Sequence, residues 1–566
     1  MPNLTPTDWL IFLLCLFCAL AIGLSMRSNI KTSKDFFQAR RALPQWVCTL
    51  AFITAGLGSL EVIAMGAAGA EYGFPDALLF SLGSIPVLIF VGRYMMPLYY
   101  GSGARTTPEY LGLRFDQKTR VLSAGLLLAA NVAGAGISLF VTARVFQALH
   151  IFEPLFFGYG LPREGVFSFC VLLFAAVVLI YVLLAGLGGV MVNQVLQFLL
   201  LVMAFLPLVW KGLHAAGGWK GLNFETSAAL PHTGAAGNAV IALALGLVFA
   251  AARWTTDFRV LQTAMAAKSL ASARRIPIFA AAVRLFLPFL LILPGAIAIT
   301  LPTPQSTTIV RNENGAIYHE ITIVPREIAL GRGLVPARLD PATENPKLDA
   351  TGHPLLDYSM ATPNLLTHFA TQGMLGLGLA ALLATLMSGL AASVTAFSAV
   401  FTCDAYETSI RKSADDRHYL VMGRWAAFVG TLLSIGAAYA VASLVGADAS
   451  RIAPNLIAAL LLVISLLHAP QLATYLLSMF TVRTTANGAF AGLAAGIAAA
   501  FLHYALTLPA ETHPGLHGGW IFVLHRYPGF IAQCTVTAIV AFAANLIVAL
   551  TVSLSTDPAP GSKLIN

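Results

Sequence analysis

Three charged side chains lie close together in one long apolar run, in the sequence Arg253-Trp-Thr-Thr-Asp257-Phe-Arg259. Arg253 and Asp257 are four residues apart, so on a helix they share a face and can form an ion pair. If the run crosses a membrane, these charges cannot face lipid. They are then either an internal pair that holds helices together or part of a solute site. Both roles stay open for Asp257 and Arg259, whereas the deeper Arg253, beside Trp254, favours a site.

A carboxylate lies in a second apolar run, in the sequence Thr54-Ala-Gly-Leu-Gly-Ser-Leu-Glu61, with Met65 following one turn later. Gly56 and Gly58 weaken a helix, and unwinding there would expose backbone carbonyls of the kind that coordinate cations in transporters. Glycines alone are common packing contacts between membrane helices. An ionised Glu61 at this depth must be paired, cation-bound or protonated, so the combination favours a site.

Hydroxyl side chains mark a third run, residues 373–404. Thr385, Ser388 and Gly389 occupy positions i, i+3 and i+4, so they share one helix face. Hydroxyl and carbonyl oxygens are the ligands that hard cations prefer, although small residues and hydroxyls also serve as ordinary packing contacts between membrane helices. Arg284 and Arg144 are two further charges inside apolar runs.

The composition requires a membrane to surround these residues. Of the 566 residues 58% are hydrophobic and only 10% are charged, whereas soluble domains carry about 25% charged residues. Soluble enzymes, disordered proteins and nucleic-acid binders are therefore excluded. Long continuous apolar runs, in place of short alternating segments, also exclude a β-barrel and predict an all-α membrane protein.

No enzymatic site is predicted. His468 is the only histidine in the middle of an apolar run, and no HExxH-type metal set or nucleophile–base pair lies at depth. The six cysteines all fall inside apolar runs, so neither a disulfide framework nor a thiolate metal site is implied. We therefore expect no catalytic residue and no cofactor.

The apolar runs predict about thirteen transmembrane helices, since a spanning helix needs about 20 residues. Lys and Arg cluster in alternate loops, beginning with residues 27–41, and positive loops stay inside. The N-terminus is therefore predicted outside and the C-terminus inside. Residues 302–365 predict a small external hairpin or cap. The predicted runs are 8–25, 46–70, 77–100, 119–149, 164–185, 189–212, 237–266, 276–301, 373–404, 422–446, 451–480, 484–508 and 530–555.

Six sequence patterns, in order along residues 27–490, give the chain a resemblance to the sodium/solute symporter family. They are Thr107-Pro-Glu-Tyr-Leu with Arg114-Phe115; Tyr181 with Gly186-Leu-Gly-Gly-Val and Gln197; Gln262-Thr-Ala-Met-Ala-Ala-Lys268-Ser-Leu; Gln372-Gly-Met-Leu-Gly-Leu; Met387-Ser388 with Phe401-Thr402-Cys-Asp404-Ala-Tyr406; and Ala469-Pro470 leading to Met479-Phe480.

The resemblance implies a leucine-transporter-like fold with two inverted five-helix repeats, residues 46–212 and 237–480, the second containing the insertion 302–365. Residues 1–45 would form a leading helix and a basic cytoplasmic loop, and residues 481–566 two trailing helices and a short tail. The first helix of each repeat would be broken. Solute would bind between the breaks and reach each side of the membrane by alternating access.

The resemblance also implies a sodium site. Its ligands would be backbone carbonyls of Thr54, Leu57 and Thr385 and the hydroxyl of Ser388. The sequence departs from the family at Gly389, where a second Ser is usual, and at Asn193-Gln194, where Thr-Asp is usual. The Thr385 hydroxyl would be available to replace one ligand. The coupling ion is therefore predicted as sodium, with a proton carried by Glu61 as the alternative.

The solute side departs from the sugar-transporting members. Glu61 stands where they place a sugar-binding Gln, Arg253 where they place a Tyr lid, and Leu462 near the position of another Gln. A Glu and an Arg facing one cavity suit an amino acid, a carboxylate or another charged solute. Alternatively the two neutralise each other and leave any solute open. The predicted solute-binding residues are Glu61, Met65, Arg253, Trp254, Asp257 and Arg284.

Together these features predict a secondary active symporter in the plasma membrane of a bacterium, with inward cation flow driving uptake of a small polar or charged solute. The predicted partners are that solute, the cation and the lipid bilayer, with no nucleic acid. The alternatives are a sodium/sugar symporter, or a channel or non-transporting sensor on the same fold.

Overall fold

The structure is a computed structural model of the chain. It describes residues 4–153, 156, 165–222, 235–313, 316–322, 324–340, 343, 345–348, 352–447, 456–510, 512, 514–515 and 517–557. The predicted segments 302–365 and 481–566 therefore lie partly outside the described residues.

The first half of the chain is helical. Its helices are α1 Pro6–Met26, α2 Ser33–Gln38, α3 Gln45–Ala55, α4 Ser59–Glu71, α5 Phe74–Leu82, α6 Ser84–Phe90, α7 Met96–Gly101, α8 Thr107–Arg114, α9 Gln117–Ala148, α10 Gly165–Ala215, α11 Ala235–Thr256, α12 Phe258–Met265 and α13 Leu270–Val283. A π-helical turn, Val91–Met95, joins α6 to α7.

The second half continues in the same way. Its helices are α14 Leu287–Leu291, α15 Leu293–Thr300, α16 Arg326–Ala329, α17 Ala361–Phe369, α18 Met374–Val400, α19 Glu407–Ser409, α20 Asp416–Ala447, α21 Leu456–Val463, α22 Ala469–Phe480, α23 Ala486–Leu506 and α24 Phe530–Leu554. Two π-helical segments, Phe401–Tyr406 and Ile464–His468, follow α18 and α21.

Two short strand pairs lie among these helices. Strands β1 (Thr307–Glu313) and β2 (Ala316–Thr322) form an antiparallel hairpin. Strands β3 (Thr507–Pro509) and β4 (His525–Tyr527) pair in parallel between α23 and α24. The hairpin falls within the segment 302–365, which was predicted as an external hairpin or cap. Its second strand contains Tyr318, in a stretch where polar and apolar residues alternate.

Within the described residues, ten helices are long and apolar enough to cross a membrane, or up to twelve if each of two bent pairs counts as one span. The 51 residues of α10 contain two of the thirteen predicted runs, and they form two helices that meet at a kink at Gly186, with φ +53°. A straight helix of that length would measure about 76 Å, far more than the bilayer core. The count of thirteen is reached only if α10 counts twice.

Both bent pairs have a local cause. Helices α3 and α4 meet at 63° across Gly56, Leu57 and Gly58, where glycine lowers helix propensity. Helix α13 and the α14–α15 pair meet at 52°, just ahead of Pro288, which lacks the N–H that would continue the helix. The first bend lies in a helix predicted to break; the sequence analysis did not foresee the second.

Helix α18 forms the centre of the packing. Most of its apolar stretch, 89%, is buried, and it contacts α1, α9, α10 and α20. Asp8 at the start of α1 holds the two helices together, because its Oδ1 accepts from the backbone N–H groups of Gly373 and Gly376 at 2.9 and 2.8 Å. Such a central position makes α18 a rigid support for residues that face the broken helix.

Close packing of α5 on α11 predicts a stability effect. A Cβ at Gly246 would lie 2.0 Å from the backbone oxygen of Phe80, so Gly246→Ala must push the helices apart. We expect it to cost about 1–3 kcal/mol and to lower the melting temperature of the purified protein. Gly436→Ala is the control, because a Cβ there meets no atom within 4 Å. Equal melting temperatures for the two variants would contradict this packing.

Candidate functional site

The α3–α4 break, with Thr54 just ahead of it and Leu57 within it, lies against Ser388 and Gly389 of α18. Ser388 Oγ donates to the carbonyl oxygen of Thr54 at 2.8 Å, and Leu57 N donates to the same oxygen at 3.0 Å. Ser388 is buried, as are Thr54 and Thr385. The break therefore places a carbonyl, a hydroxyl and the adjacent backbone of Leu57 together, away from lipid.

Two members of the predicted cation set have defined neighbours in the structure. Thr385 Oγ1 donates its hydrogen to Leu382 O at 2.7 Å within its own helix, which leaves its lone pairs available, so its role as a replacement ligand stays a prediction. Gly389 lies directly against the break, and a Cβ there would be 2.7 Å from Gly58 Cα. A serine at this position would collide with the backbone of α3–α4, which explains the departure from the family pattern.

The second break, between α11 and α12, lies at Asp257. Its backbone leaves the helix (φ −70°, ψ 95°), and its carboxylate caps α12 by accepting from the backbone N–H of Arg259 at 3.1 Å. Asp257 N still donates to Arg253 O at 2.8 Å. Aspartate is a favoured N-cap residue because its carboxylate satisfies a free N–H of the first turn. The charged residue is thus the cause of the break.

Four buried charges connect the two breaks. Arg253 Nη2 donates to Glu61 Oε1 across the helices and to Gly56 O at 3.4 Å. Arg259 Nη2 lies 2.8 Å from Asp257 Oδ2 and 3.5 Å from Glu61 Oε1. The predicted Arg253–Asp257 pair also forms, but at 3.7 Å it is the longer contact. The network therefore joins α4 to α11 and α12 and also includes contacts between residues close in sequence.

Arg284 lies beside this network without joining it. It is 7% exposed, and its guanidinium stands 4.6 Å from the ring centre of Trp254. Trp254 in turn stacks on Phe52 at 5.8 Å. Within the described part of the chain, no carboxylate lies within ion-pair distance of Arg284. A cation over an aromatic face gains only about 0.5–2 kcal/mol, so the ring alone does not offset its burial.

A cavity of about 130 Å³ opens on these side chains, and its wall includes Glu61, Met65, Arg253, Trp254 and Arg284. These are five of the six predicted solute-binding residues. The sixth, Asp257, lines a second, water-sized cavity of about 20 Å³ that also touches Glu61 and Arg253. The Glu61–Arg253 pair therefore stands in the wall of both cavities, between the two breaks.

Two cavity residues, Asp76 and His468, were not among the predicted site residues. Asp76 lines the larger cavity, and its buried Oδ2 has no hydrogen-bond partner among the described residues. It was missed because it stands one residue before the apolar run that was marked from 77. His468 lines the smaller cavity, and its Nδ1 lies 2.8 Å from Thr256 Oγ1. The sequence predicted no site role for it.

Charges also cluster at the end of α18 that the sequence predicts to be cytoplasmic. Arg105 pairs with Glu109 and Glu407 at 2.7 Å each, and Arg120 pairs with Asp404 at 2.6 Å. Burial favours the neutral form of Glu109, but Arg105 and Arg120 outweigh it and lower the pKa of that carboxyl below its usual value. Several conspicuous sequence patterns thus serve to tie α8 and α9 to the end of α18.

Comparisons with known proteins place the geometry in context. The model of a family described as "SSF: Sodium:solute symporter family" matches residues 36–496. A sodium/glucose cotransporter of Vibrio parahaemolyticus is 25% identical over 521 residues, covering 86% of this chain and 83% of that protein. Sodium/glucose cotransporter 2 of Rattus norvegicus is 26% identical over 526 residues, covering 87% and 70%.

Two solved structures share the fold. A Na⁺-coupled sialic acid symporter in a substrate-bound outward-open state gives a TM-score of 0.71 at 16% identity and covers 99% of this chain and 100% of its own. A nucleobase-cation-symport-1 family transporter in a closed conformation gives 0.51 at 12% identity, covering 93% and 96%. At these identities the likeness concerns the fold alone.

The ion pair between the breaks gives a prediction. Arg253→Gln removes one partner and leaves Glu61 with the more distant Arg259, so we expect a loss of about 3–5 kcal/mol. The double variant Glu61→Gln with Arg253→Gln removes both charges and should recover most of the melting temperature. If the double variant melts as low as Arg253→Gln, the pair does not account for the loss.

Proposed function

The chain belongs to the sodium:solute symporter family, and we propose that its two helix breaks hold one solute and one sodium ion side by side. Members of this family are multi-pass membrane transporters, and this chain is a sodium-coupled symporter with a leucine-transporter-like fold. The proposal concerns which residues hold the ion and the solute, and how binding of one affects the other.

The observation that carries the proposal is the contact between Arg253 and Glu61. It joins the break in α3–α4 to the break in α11–α12 and forms part of the wall of both cavities. Buried ion pairs are weak contributors to stability because desolvation offsets their attraction. Charged groups at membrane depth therefore mark a functional pathway more often than a structural support.

Sodium is proposed to bind where α3–α4 faces α18. The carbonyl oxygens of Thr54, Leu57 and Thr385 and the hydroxyl of Ser388 would be its ligands, with Gly389 allowing the backbones to approach. Such a site has no formal charge of its own, since the usual aspartate is absent, and it has one hydroxyl fewer because the usual second serine is absent. Hard oxygen ligands suit sodium as they suit other hard cations.

Glu61 offers a direct link between the two ligands. Its Oε1 accepts from Arg253 on the cavity side. Its Oε2 faces the break, where it would lie 2.6 Å from a Cβ at Gly58. Sodium binding in the break would attract this carboxylate and alter its hold on Arg253. The arginine would then be positioned differently towards a solute, which is how ion binding is proposed to prepare the solute site.

The solute is proposed to be small and polar or charged, and to lie in the larger cavity against Glu61, Met65, Arg253, Trp254 and Arg284, near Asp257. A sugar is the second candidate, because relatives at a quarter identity carry the name sodium/glucose cotransporter and because Glu61 and Arg253 neutralise each other. Inward sodium movement would supply about 2.3 kcal/mol per 100 mV of membrane potential.

Sodium binding can be tested before the solute is known. A ligand that binds only the folded state raises the melting temperature, so sodium should stabilise the purified protein and potassium should not. Ser388→Ala removes one ligand and should raise the sodium concentration for half-maximal stabilisation by about 10-fold.

Ser393→Ala is the matched control for that experiment. Ser393 lies on the same helix, and its buried Oγ has no hydrogen-bond partner among the described residues, so this variant should respond to sodium as the unchanged protein does. Stabilisation that follows pH and ignores sodium would instead support a proton carried by Glu61. An equal effect of both serine variants would contradict the proposed ligand.

A further inference from the structure

One buried guanidinium beside the breaks has no ion pair among the described residues. Glu61 and Asp257 pair with Arg253 and Arg259. Asp76 is a third buried carboxylate on the wall of the larger cavity, but it forms no ion pair with Arg284. The guanidinium of Arg284 instead lies over the ring of Trp254. A buried cation without a partner is costly in an apolar medium.

Arg284 is also accessible to a solute. It lines the larger cavity together with Trp254, and most other residues of that wall are apolar. Its guanidinium therefore combines three properties: it is more than nine-tenths buried, it carries no ion pair in the described chain, and it borders a cavity large enough for a small organic molecule. An anionic group from the solute would supply the missing charge.

We propose that the transported solute is an organic carboxylate with an apolar body, and that its carboxylate binds Arg284. Guanidinium and carboxylate groups match in shape and form paired charge-assisted hydrogen bonds. The apolar body would lie against the aliphatic and aromatic side chains of the wall, such as Met65 and Trp254. This inference rests on the proposed function, whose solute site it specifies.

The carboxylate would also offset the charge of the coupling ion. Sodium in a site of neutral oxygens adds one positive charge near an arginine that has no ion pair. A solute carboxylate adds one negative charge, so each ligand lowers the electrostatic cost of binding the other, which is the thermodynamic condition for coupling. A neutral sugar would not offset the charge of the sodium ion.

Asp76 decides between two kinds of carboxylate. It lines the same cavity, in the first turn of α5. Its unpartnered Oδ2 would suit an ammonium group of the solute. A simple monocarboxylate would leave Asp76 unused.

The experiment measures uptake of radioactive sodium into proteoliposomes on addition of unlabelled solutes at neutral pH. Matched sets share one apolar body: isocaproate, leucine and isocaproamide, then hydrocinnamate, phenylalanine and hydrocinnamamide, with glucose added. We expect a carboxylate of each set to stimulate sodium uptake at a concentration at least about 10-fold below the concentration that its neutral amide requires. Glucose should be inactive.

Variants locate the carboxylate. Arg284→Gln should raise the half-maximal carboxylate concentration by about 10- to 100-fold, since it removes a charge-assisted bond, whereas Arg284→Lys, which keeps the charge but loses the paired geometry, should raise it less. Arg144→Gln is the control, because Arg144 also lies over aromatic rings, those of Phe140 and Phe167, but outside both cavities. If the solute is an amino acid, Asp76→Asn should weaken the stimulation by leucine and phenylalanine and leave the stimulation by isocaproate and hydrocinnamate unchanged.

Distinct results would overturn the inference. Carboxylate responses unchanged in Arg284→Gln, with only its melting temperature lowered, would show that Arg284 merely packs on Trp254. Stimulation by glucose or the amides alone would exclude the carboxylate class and leave sodium symport intact. Failure of sodium to stabilise the protein would instead count against the proposed function itself.

Discussion

The ion pair between Glu61 and Arg253 depends on both helix breaks. Glu61 stands in the first turn of α4 and Arg253 in the last turn of α11, where helix dipoles favour a negative and a positive charge respectively. Each break therefore creates the helix end that stabilises one member of the pair. In unbroken helices the same side chains would lie in mid-helix without this support, so breaks and charges form one arrangement.

Glycine at the first break has two consequences that cannot be separated. Gly56 and Gly58 let the helix unwind, and they also allow close approach: Trp254 packs on Gly56 and Gly389 on Gly58. The second contact leaves no space for a side chain at position 389, where the family resemblance implies a second serine. A cation proposed to bind at this break would therefore depend more on backbone oxygens than on a side chain at 389.

The sequence alone predicted the helical fold, and with the family resemblance both breaks and five residues of the larger cavity's wall, because charges and glycines in apolar runs have few explanations. It left open which charges pair. Spacing suggested Asp257 as the partner of Arg253 and the resemblance suggested Glu61, and Glu61, 192 residues away, is the closer partner. Asp76 was missed because it lies between two marked runs, and the bend before Pro288 because it falls inside one. Contacts between distant helices leave no periodic signal in one chain.

The solute is not settled by resemblance, because a shared fold carries the transport cycle and a few side chains select what is transported. Relatives named for glucose differ from this chain at three quarters of aligned positions. A guanidinium that is buried without an ion pair is costly in a medium of low dielectric. Arg284 is therefore stronger evidence about the solute than overall identity, because a neutral solute supplies no charge to pair with it.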